Sequence, residues 1–349
     1  MKPGQLRLKW QFSSGTTSVS MIGADLLAVI ALRFGPRNAS GIGLAVCKLL
    51  SQTCDWLIHI IDLNPPPQTG LAQCTFHACD ITHEEELGRI FAGIFKTHRR
   101  VDFVFANAGI GERQYFYDLH GQNSTTINDD DDDADDDNKN ASTDSKLGKE
   151  DEKKEEGEEE EMPPLPVKGM QTLLSINLSS VITTTHLATH YMLRSPSSTD
   201  KSIVMTASCG GLYPSGYCPV YTATKHGVVG FMRGIAPYYR AKHGIRVNAI
   251  CPGIVRTQLL SQAEFDLFED DVYTPVEKVA SVVGMLVQGR DDGTGRLGKE
   301  VQDREGALDV LSGWAVEISG NKHYYRGHVE FADGRMEECM RAADNTRVL

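Results

Sequence analysis

Short apolar runs, each closed by a turn and separated by helical patterns, constrain the fold of this chain more than any other feature. Asp25 to Leu32 reads as the first strand, Trp56 to Ile61 as the second, Cys74 to Cys79 as the third and Val101 to Ala106 as the fourth. The run around Ile203, Val204 and Met205 makes a fifth, Ile245 to Cys251 a sixth, and Ala315 to Ile318 the last. Strands alternating with helices, with glycine turns at strand ends, predict an α/β fold with a doubly wound parallel sheet. At 349 residues the chain is long enough for one such domain with a sizeable core.

Composition matters where it breaks this rhythm. The net charge of −12 is concentrated between Asn123 and Met162, where eighteen Asp/Glu and five Lys give −13 and leave +1 for the remainder. A stretch so poor in apolar residues cannot offset its ordering entropy, so 123–162 is expected to be a disordered acidic insertion between residues 25–122 and 163–326 of one domain. A near-neutral remainder gives no nucleic-acid surface. No apolar run approaches the ~20 residues of a membrane helix. Residues 1–24, with Lys2, Arg7 and Lys9 and no acid, read as a disordered extension, with a mitochondrial presequence as the alternative. Residues 327–349 form a tail with helical residues and no clear anchor. The eight cysteines show no Cys-x-x-Cys or zinc-like cluster and fit reduced thiols of a cytoplasmic protein.

The chemistry gathers between Ser202 and Phe231: an apolar strand, Ser208, the Gly210-Gly211 turn, then Tyr221 and Lys225 on a helix. Four residues apart, the phenol and the ammonium share one helix face. A cation held beside a phenol favours its ionised form and lowers its pKa, which is expected to make Tyr221 a usable general acid/base. Ser208, thirteen residues earlier, can present its hydroxyl to the same substrate oxygen.

Near the N-terminus the first strand leads into Ser40-Gly41-Ile42-Gly43 and an amphipathic helix through about Leu50. A glycine turn at a helix N-terminus is a pyrophosphate site, because backbone N–H groups and the helix dipole attract an anion. Asp62 ends the second strand nineteen residues after Gly43. A carboxylate there accepts from an adenosine ribose and repels a 2′-phosphate, which points to NAD; Arg37 weighs toward NADP. The alternative for Asp62 is an ordinary turn residue before Pro65-Pro66-Pro67.

Strand, Ser, glycine turn and Tyr-x-x-x-Lys together resemble the short-chain dehydrogenase/reductase family, which has a Rossmann fold. The run VMTASCGGLYPSGYCPVYTATKHGVVGF with VNAICPG is most similar to its fungal, NAD-linked members related to 15-hydroxyprostaglandin dehydrogenase. The resemblance implies that Ser208, Tyr221 and Lys225 are catalytic, and that Asn177 holds a water linking the lysine to solvent. It implies adenine contacts from Asp80 and the Ile81 backbone, a cofactor-side turn at Asn107-Ala108-Gly109, and a nicotinamide carboxamide site at Pro252-Gly253-Ile254-Val255 and Thr257. By itself Asp80 reads equally as a cap for the helix starting at Glu84-Glu85-Glu86. The phosphate loop departs from the family's Thr-Gly-x-x-x-Gly-Ile-Gly, since Pro36 and Arg37 stand where Thr and Gly belong.

The implied activity is hydride transfer between nicotinamide and a secondary alcohol or ketone, by a homodimer in the family's habit. Gln258 to Tyr273 resembles the family's substrate lid, and its apolar residues suit a hydrophobic substrate or packing onto the core. Two alternatives stand beside this: a catalytically impaired dinucleotide-fold scaffold, and a ketoreductase working in the reducing direction.

Overall fold

The computed structural model describes residues 7–11, 16–20, 26–31, 41–52, 56–67, 71, 73–113, 116–117, 168–196, 200–301 and 308–345. The acidic segment 123–162, and with it the expected disordered insertion, lies outside the described residues, as do Ser40 and residues 35–37 of the glycine loop.

Strands β1 (Arg7–Gln11) and β2 (Thr16–Ser20) pair antiparallel as a small separate sheet. Thr16, Thr17 and Val19 are β-branched and favour extended backbone. Then come β3 (Leu26–Ala31), α1 (Ile42–Ser51), β4 (Trp56–Asp62), β5 (Cys74–Ala78), α2 (Glu84–His98) and β6 (Phe103–Ala106). Helix α3 (Lys168–Leu174) passes through a π-helical turn, Ser175–Ser179, into α4 (Ser180–Met192). The chain continues with β7 (Lys201–Thr206), α5 (Pro219–Tyr238), β8 (Ile245–Pro252), α6 (Gln262–Phe265), α7 (Val276–Gln288), β9 (Arg296–Leu297), β10 (Ala315–Ser319), β11 (Lys322–Arg326) and α8 (Gly334–Asn345).

Nine strands form one sheet in the order β5-β4-β3-β6-β7-β8-β10-β11-β9, parallel from β5 through β10. Strand β11 returns antiparallel to β10, and β9 lies along its outer edge. The sequence reading ended the sheet at Ala315 to Ile318 and left out β9 and β11. Lys322–Arg326 reads KHYYR, too polar to register as an apolar run, yet His323 and Tyr325 alternate into the core.

Alternation explains the two layers. Ala28, Ile58, Ile60, Phe103, Phe105 and Val204 face α1 and α7; Leu27, Val29, Ile61, Val104, Ile203 and Met205 face α2, α4 and α5. Both faces are covered, as a parallel sheet requires. The chain winds outward in opposite directions from β3 and β6, so the crevice beyond their C-terminal ends is the topological switch point where such folds bind ligands.

Candidate active site

Three strand ends and two helices converge on this crevice. Gly41 caps α1 with φ at +112°, a backbone state that L side chains rarely adopt, and no side chain among the described residues bonds the helix end. A β-carbon on Gly41 would lie 3.5 Å from Thr257 Cγ2, so the turn after β8 closes against the start of α1. Ile42 and Gly43 form the first turn of that helix. Where a dinucleotide is concerned, the uncapped N-terminus and the bare Gly41 fit a pyrophosphate.

Asp62 is at the predicted strand end but fully buried, and its Oδ1 accepts from the Asn64 N–H at 2.9 Å. This bond closes a turn at the strand end. Asp80 Oδ1 accepts from the Thr82 N–H and hydroxyl, while the cap position of α2 belongs to His83. The helix-cap reading of Asp80 is corrected: an Asx turn takes up its carboxylate two residues before the helix boundary. Ile81 and Ala108 are buried in the core beside it.

The opposite wall comes from β7 and α5. Ser208 follows the strand, and its Oγ accepts from the Gly210 N–H at 3.1 Å. Tyr221 sits in the first turn of α5 and Lys225 one turn on. A β-carbon on Gly210 would touch both the Tyr221 ring, at 3.5 Å, and Ser208 Oγ, at 3.6 Å. At Gly211 it would lie 2.6 Å from the Lys225 carbonyl oxygen, so only a glycine lets the serine turn seat against the helix.

Lys225 is 2% exposed; its Nζ donates to the Thr206 carbonyl at 3.0 Å and stands 5.6 Å from the Tyr221 ring centre. The Thr206 hydroxyl in turn donates to Asn107 Oδ1 at 2.9 Å. Gly109 borders both Lys225 Nζ and Asn177 Oδ1. Asn177, in the π-helical turn, pairs its carboxamide with both backbone groups of Ile110: Oδ1 accepts from the Ile110 N–H at 2.8 Å and Nδ2 donates to the Ile110 carbonyl at 2.9 Å, with Nδ2 also donating to the Thr224 hydroxyl at 3.4 Å. Its side chain therefore clamps the loop after Gly109. On the β8 side the Gly253 N–H donates to the Ile318 carbonyl, and the Ile254 carbonyl accepts from the Thr274 N–H. Pro252 and Val255 are buried, and Thr257 Oγ1 accepts from the Leu259 N–H.

Electrostatics correct one expectation. Burial pushes the Tyr221 phenol up to about 12, against the pull of its hydrogen bond with Ser208, and burial pushes Lys225 down to about 8. In the chain alone desolvation of the charged forms outweighs the ammonium's attraction for a phenolate. The Cys251 thiol, fully buried below the site, is likewise pushed up to about 12 and stays protonated.

Two residues with no sequence signal also line the crevice. Glu112 Oε2 accepts from the Tyr221 N–H at 2.7 Å, and Arg113 bonds Glu264 Oε2 at 2.7 Å and the Leu259 carbonyl at 2.8 Å, tying the segment after the β8 turn to this loop. Within the segment after the β8 turn, Phe265 is buried and packs on Tyr273, whereas Leu267, Phe268 and Val272 are exposed.

A receptive helix N-terminus at the switch point, with a phenol and an ammonium farther along the same crevice, is the arrangement of a nicotinamide-dependent oxidoreductase. Comparisons with known proteins agree. The family profile described as short chain dehydrogenase matches residues 157–266. Short-chain dehydrogenase/reductase prx7 of Penicillium rubens is 40% identical over 307 residues, covering 86% of this chain and 95% of that protein. Human 15-hydroxyprostaglandin dehydrogenase [NAD(+)] is 42% identical over 98 residues, 28% of this chain and 37% of that one. Among solved structures, 3-oxoacyl-[acyl-carrier protein] reductase from Brucella melitensis in complex with NAD superposes with a TM-score of 0.55 at 19% identity, covering 76% of this chain and 90% of that one. ElxO with NADP bound superposes with a TM-score of 0.52 at 21% identity, covering 76% and 92%. The chain belongs to the short-chain dehydrogenase/reductase family.

Proposed function

We propose that this chain is an NAD-linked oxidoreductase acting on a secondary alcohol or ketone with an apolar body. The observation that carries the reading is the convergence of Ser208, Tyr221 and Lys225 beside Gly109, on the same crevice as Gly41. When bound, the nicotinamide supplies the hydride acceptor or donor. In the oxidising direction the carbinol C–H leaves as hydride, the O–H proton passes to the Tyr221 phenolate, and the carbon–oxygen double bond forms. Ser208 holds the reacting oxygen with its hydroxyl, which stabilises charge as it develops there.

Lys225, fixed by Thr206, binds near the nicotinamide ribose and favours the phenolate. Asn177 keeps the loop after Gly109 in place against it. For the dinucleotide, the assignment is Ser40, Gly41, Ile42 and Gly43 to the pyrophosphate, Asp62 to the ribose, Asp80 and Ile81 to the adenine, and Asn107, Ala108 and Gly109 to the cofactor side of the crevice. Pro252, Gly253, Ile254, Val255 and Thr257 take the carboxamide. NAD is preferred over NADP because a carboxylate ends β4. A 15-hydroxyprostaglandin dehydrogenase similar over 98 residues carries NAD in its name. The exposed Leu267, Phe268 and Val272 on the lid support a hydrophobic substrate. A cytoplasmic homodimer completes the reading.

Nicotinamide fluorescence with NADH and NADPH, followed by a screen of secondary alcohols with NAD, tests it. Saturable NADH binding with turnover of at least one apolar secondary alcohol is expected. No saturable binding to either nucleotide would leave a scaffold instead.

A further inference from the structure

The start of the helix that bears Tyr221 and Lys225 lacks a local cap. Cys218 occupies the cap position of α5 and makes no side-chain bond to the helix end, and Pro219 opens the helix without an N–H of its own. The next orphan donors would face the crevice, since the first N–H groups of any helix have no partner within it. Glu112, 109 residues away in sequence, fills the gap: its Oε2 accepts from the Tyr221 N–H itself at 2.7 Å. A carboxylate at a helix N-terminus is favoured both by the bond and by the dipole.

Glu112 is held on both sides. Ile110 is paired through both backbone groups with Asn177, and Arg113 is bonded to Glu264 and to the Leu259 carbonyl. Its remaining oxygen, Oε1, is shut from solvent with no hydrogen-bond partner among the described residues. A desolvated carboxylate oxygen left without a donor is costly. The arrangement persists because the loop is fixed elsewhere and the single bond to Tyr221 is what the carboxylate serves.

We propose that Glu112 is a positioning residue for the reaction: by holding the Tyr221 backbone it sets where the phenol meets the substrate oxygen. The inference rests on the reading of Tyr221 as the acid/base. A shift of about 1 Å in a reacting group costs orders of magnitude in rate.

The test compares Glu112→Gln, which keeps a carbonyl acceptor at the same reach, with Glu112→Ala, which removes it. With activity normalised to the fraction of protein that binds NADH, Glu112→Ala is expected to lose about ten-fold or more in kcat. Its KM for the nucleotide stays within about two-fold, and Glu112→Gln recovers kcat to within about three-fold of wild type. A residue needed only for folding would lower the binding-competent fraction and leave normalised kcat alone. Should Glu112→Ala fail to fold, Glu112→Asp carries the test, since its carboxylate retreats by one methylene. A loss of kcat there supports the proposal; wild-type kcat in Glu112→Ala or Glu112→Asp overturns it. Tyr221→Phe separates the two levels: if it keeps full turnover, the reading of the site fails, whereas if it is inactive and Glu112→Ala is normal, only the role of Glu112 fails.

Discussion

Gly41 and Thr257 meet across the mouth of the crevice, with the missing β-carbon of one set 3.5 Å from the methyl carbon of the other. The first turn of α1 and the turn after β8 therefore share a wall. Gly41 also holds φ at +112°, so Gly41→Ala forces strained backbone at the proposed pyrophosphate site. Nucleotide affinity is expected to fall at least ten-fold and stability by about 1–3 kcal/mol. Fluorescence titration with NADH and a thermal melt check this; unchanged affinity would move the phosphates elsewhere.

Removing the phenol oxygen tests the reaction itself. Tyr221→Phe is expected to lower kcat by roughly a hundred-fold or more, with NADH binding retained. Steady-state turnover of the best alcohol found, beside a binding titration, measures it.

The Tyr221 and Lys225 pair also sets a pH dependence. On the proposed mechanism oxidation needs Tyr221 as its phenolate, and burial pushes the phenol up to about 12. The kcat/KM for alcohol oxidation should therefore rise from pH 7 to 9, as the phenolate fraction grows on the approach to that value. An oxidation rate that declines across this range contradicts the assignment.

The segment proposed as a lid has its own fastening. Burial alone would raise the Glu264 carboxyl, but bonds from the Ser261 N–H and from Arg113 outweigh it and hold the pKa below the usual carboxylate value. A depressed carboxylate pKa means the fastening is complete above the unfolded value and is lost as pH falls through the folded one. Arg113→Ala should raise KM for the alcohol several-fold while changing stability by less than about 1 kcal/mol, since the arginine is half exposed. Equal KM in the variant would show that the lid closes without it.

Three imidazoles form a chain on the far edge of the sheet. His59 Nδ1 meets His77 Nε2 at 2.8 Å, and its Nε2 meets His98 Nε2 at 3.1 Å. Burial, followed by the charges that His77 and His98 would carry, pushes His59 down to about 4. A base with a lowered folded pKa keeps its full contribution above its unfolded value of about 6.5 and loses it as pH falls toward 4. The loss amounts to on the order of 2 kcal/mol after screening. Thermal midpoints should drop between pH 7.5 and 4.5 in the wild type and drop less in His59→Phe; an equal drop in both would assign the effect to other groups.

Much of the sheet was readable because each strand carries its own signal. Trp56–Asp62 and Ile245–Pro252 are mostly apolar, interrupted by His59 in the first and by Arg246 and Asn248 in the second, and end where a turn residue stops them. Ser208, Tyr221 and Lys225 lie close in sequence, so helix spacing alone brings two of them together. Glu112 and Arg113 were invisible for the opposite reason: their partners stand 109 and 151 residues away. The shift of Tyr221 escaped because burial, unlike spacing, is a property of the folded surroundings. For β11 a signal existed, since Gly320-Asn321 between Ser319 and Lys322 is a two-residue hairpin connection.

Gly211 has a consequence for how this enzyme can be adapted. With the serine turn packed against the carbonyl of Lys225, that turn and helix α5 travel as one piece, and neither can be re-aimed without the other. On the proposed function, new substrate preferences are to be written into the segment after β8, at Leu267 and Phe268, where side chains already project outward and a change of shape leaves the Gly211 contact untouched.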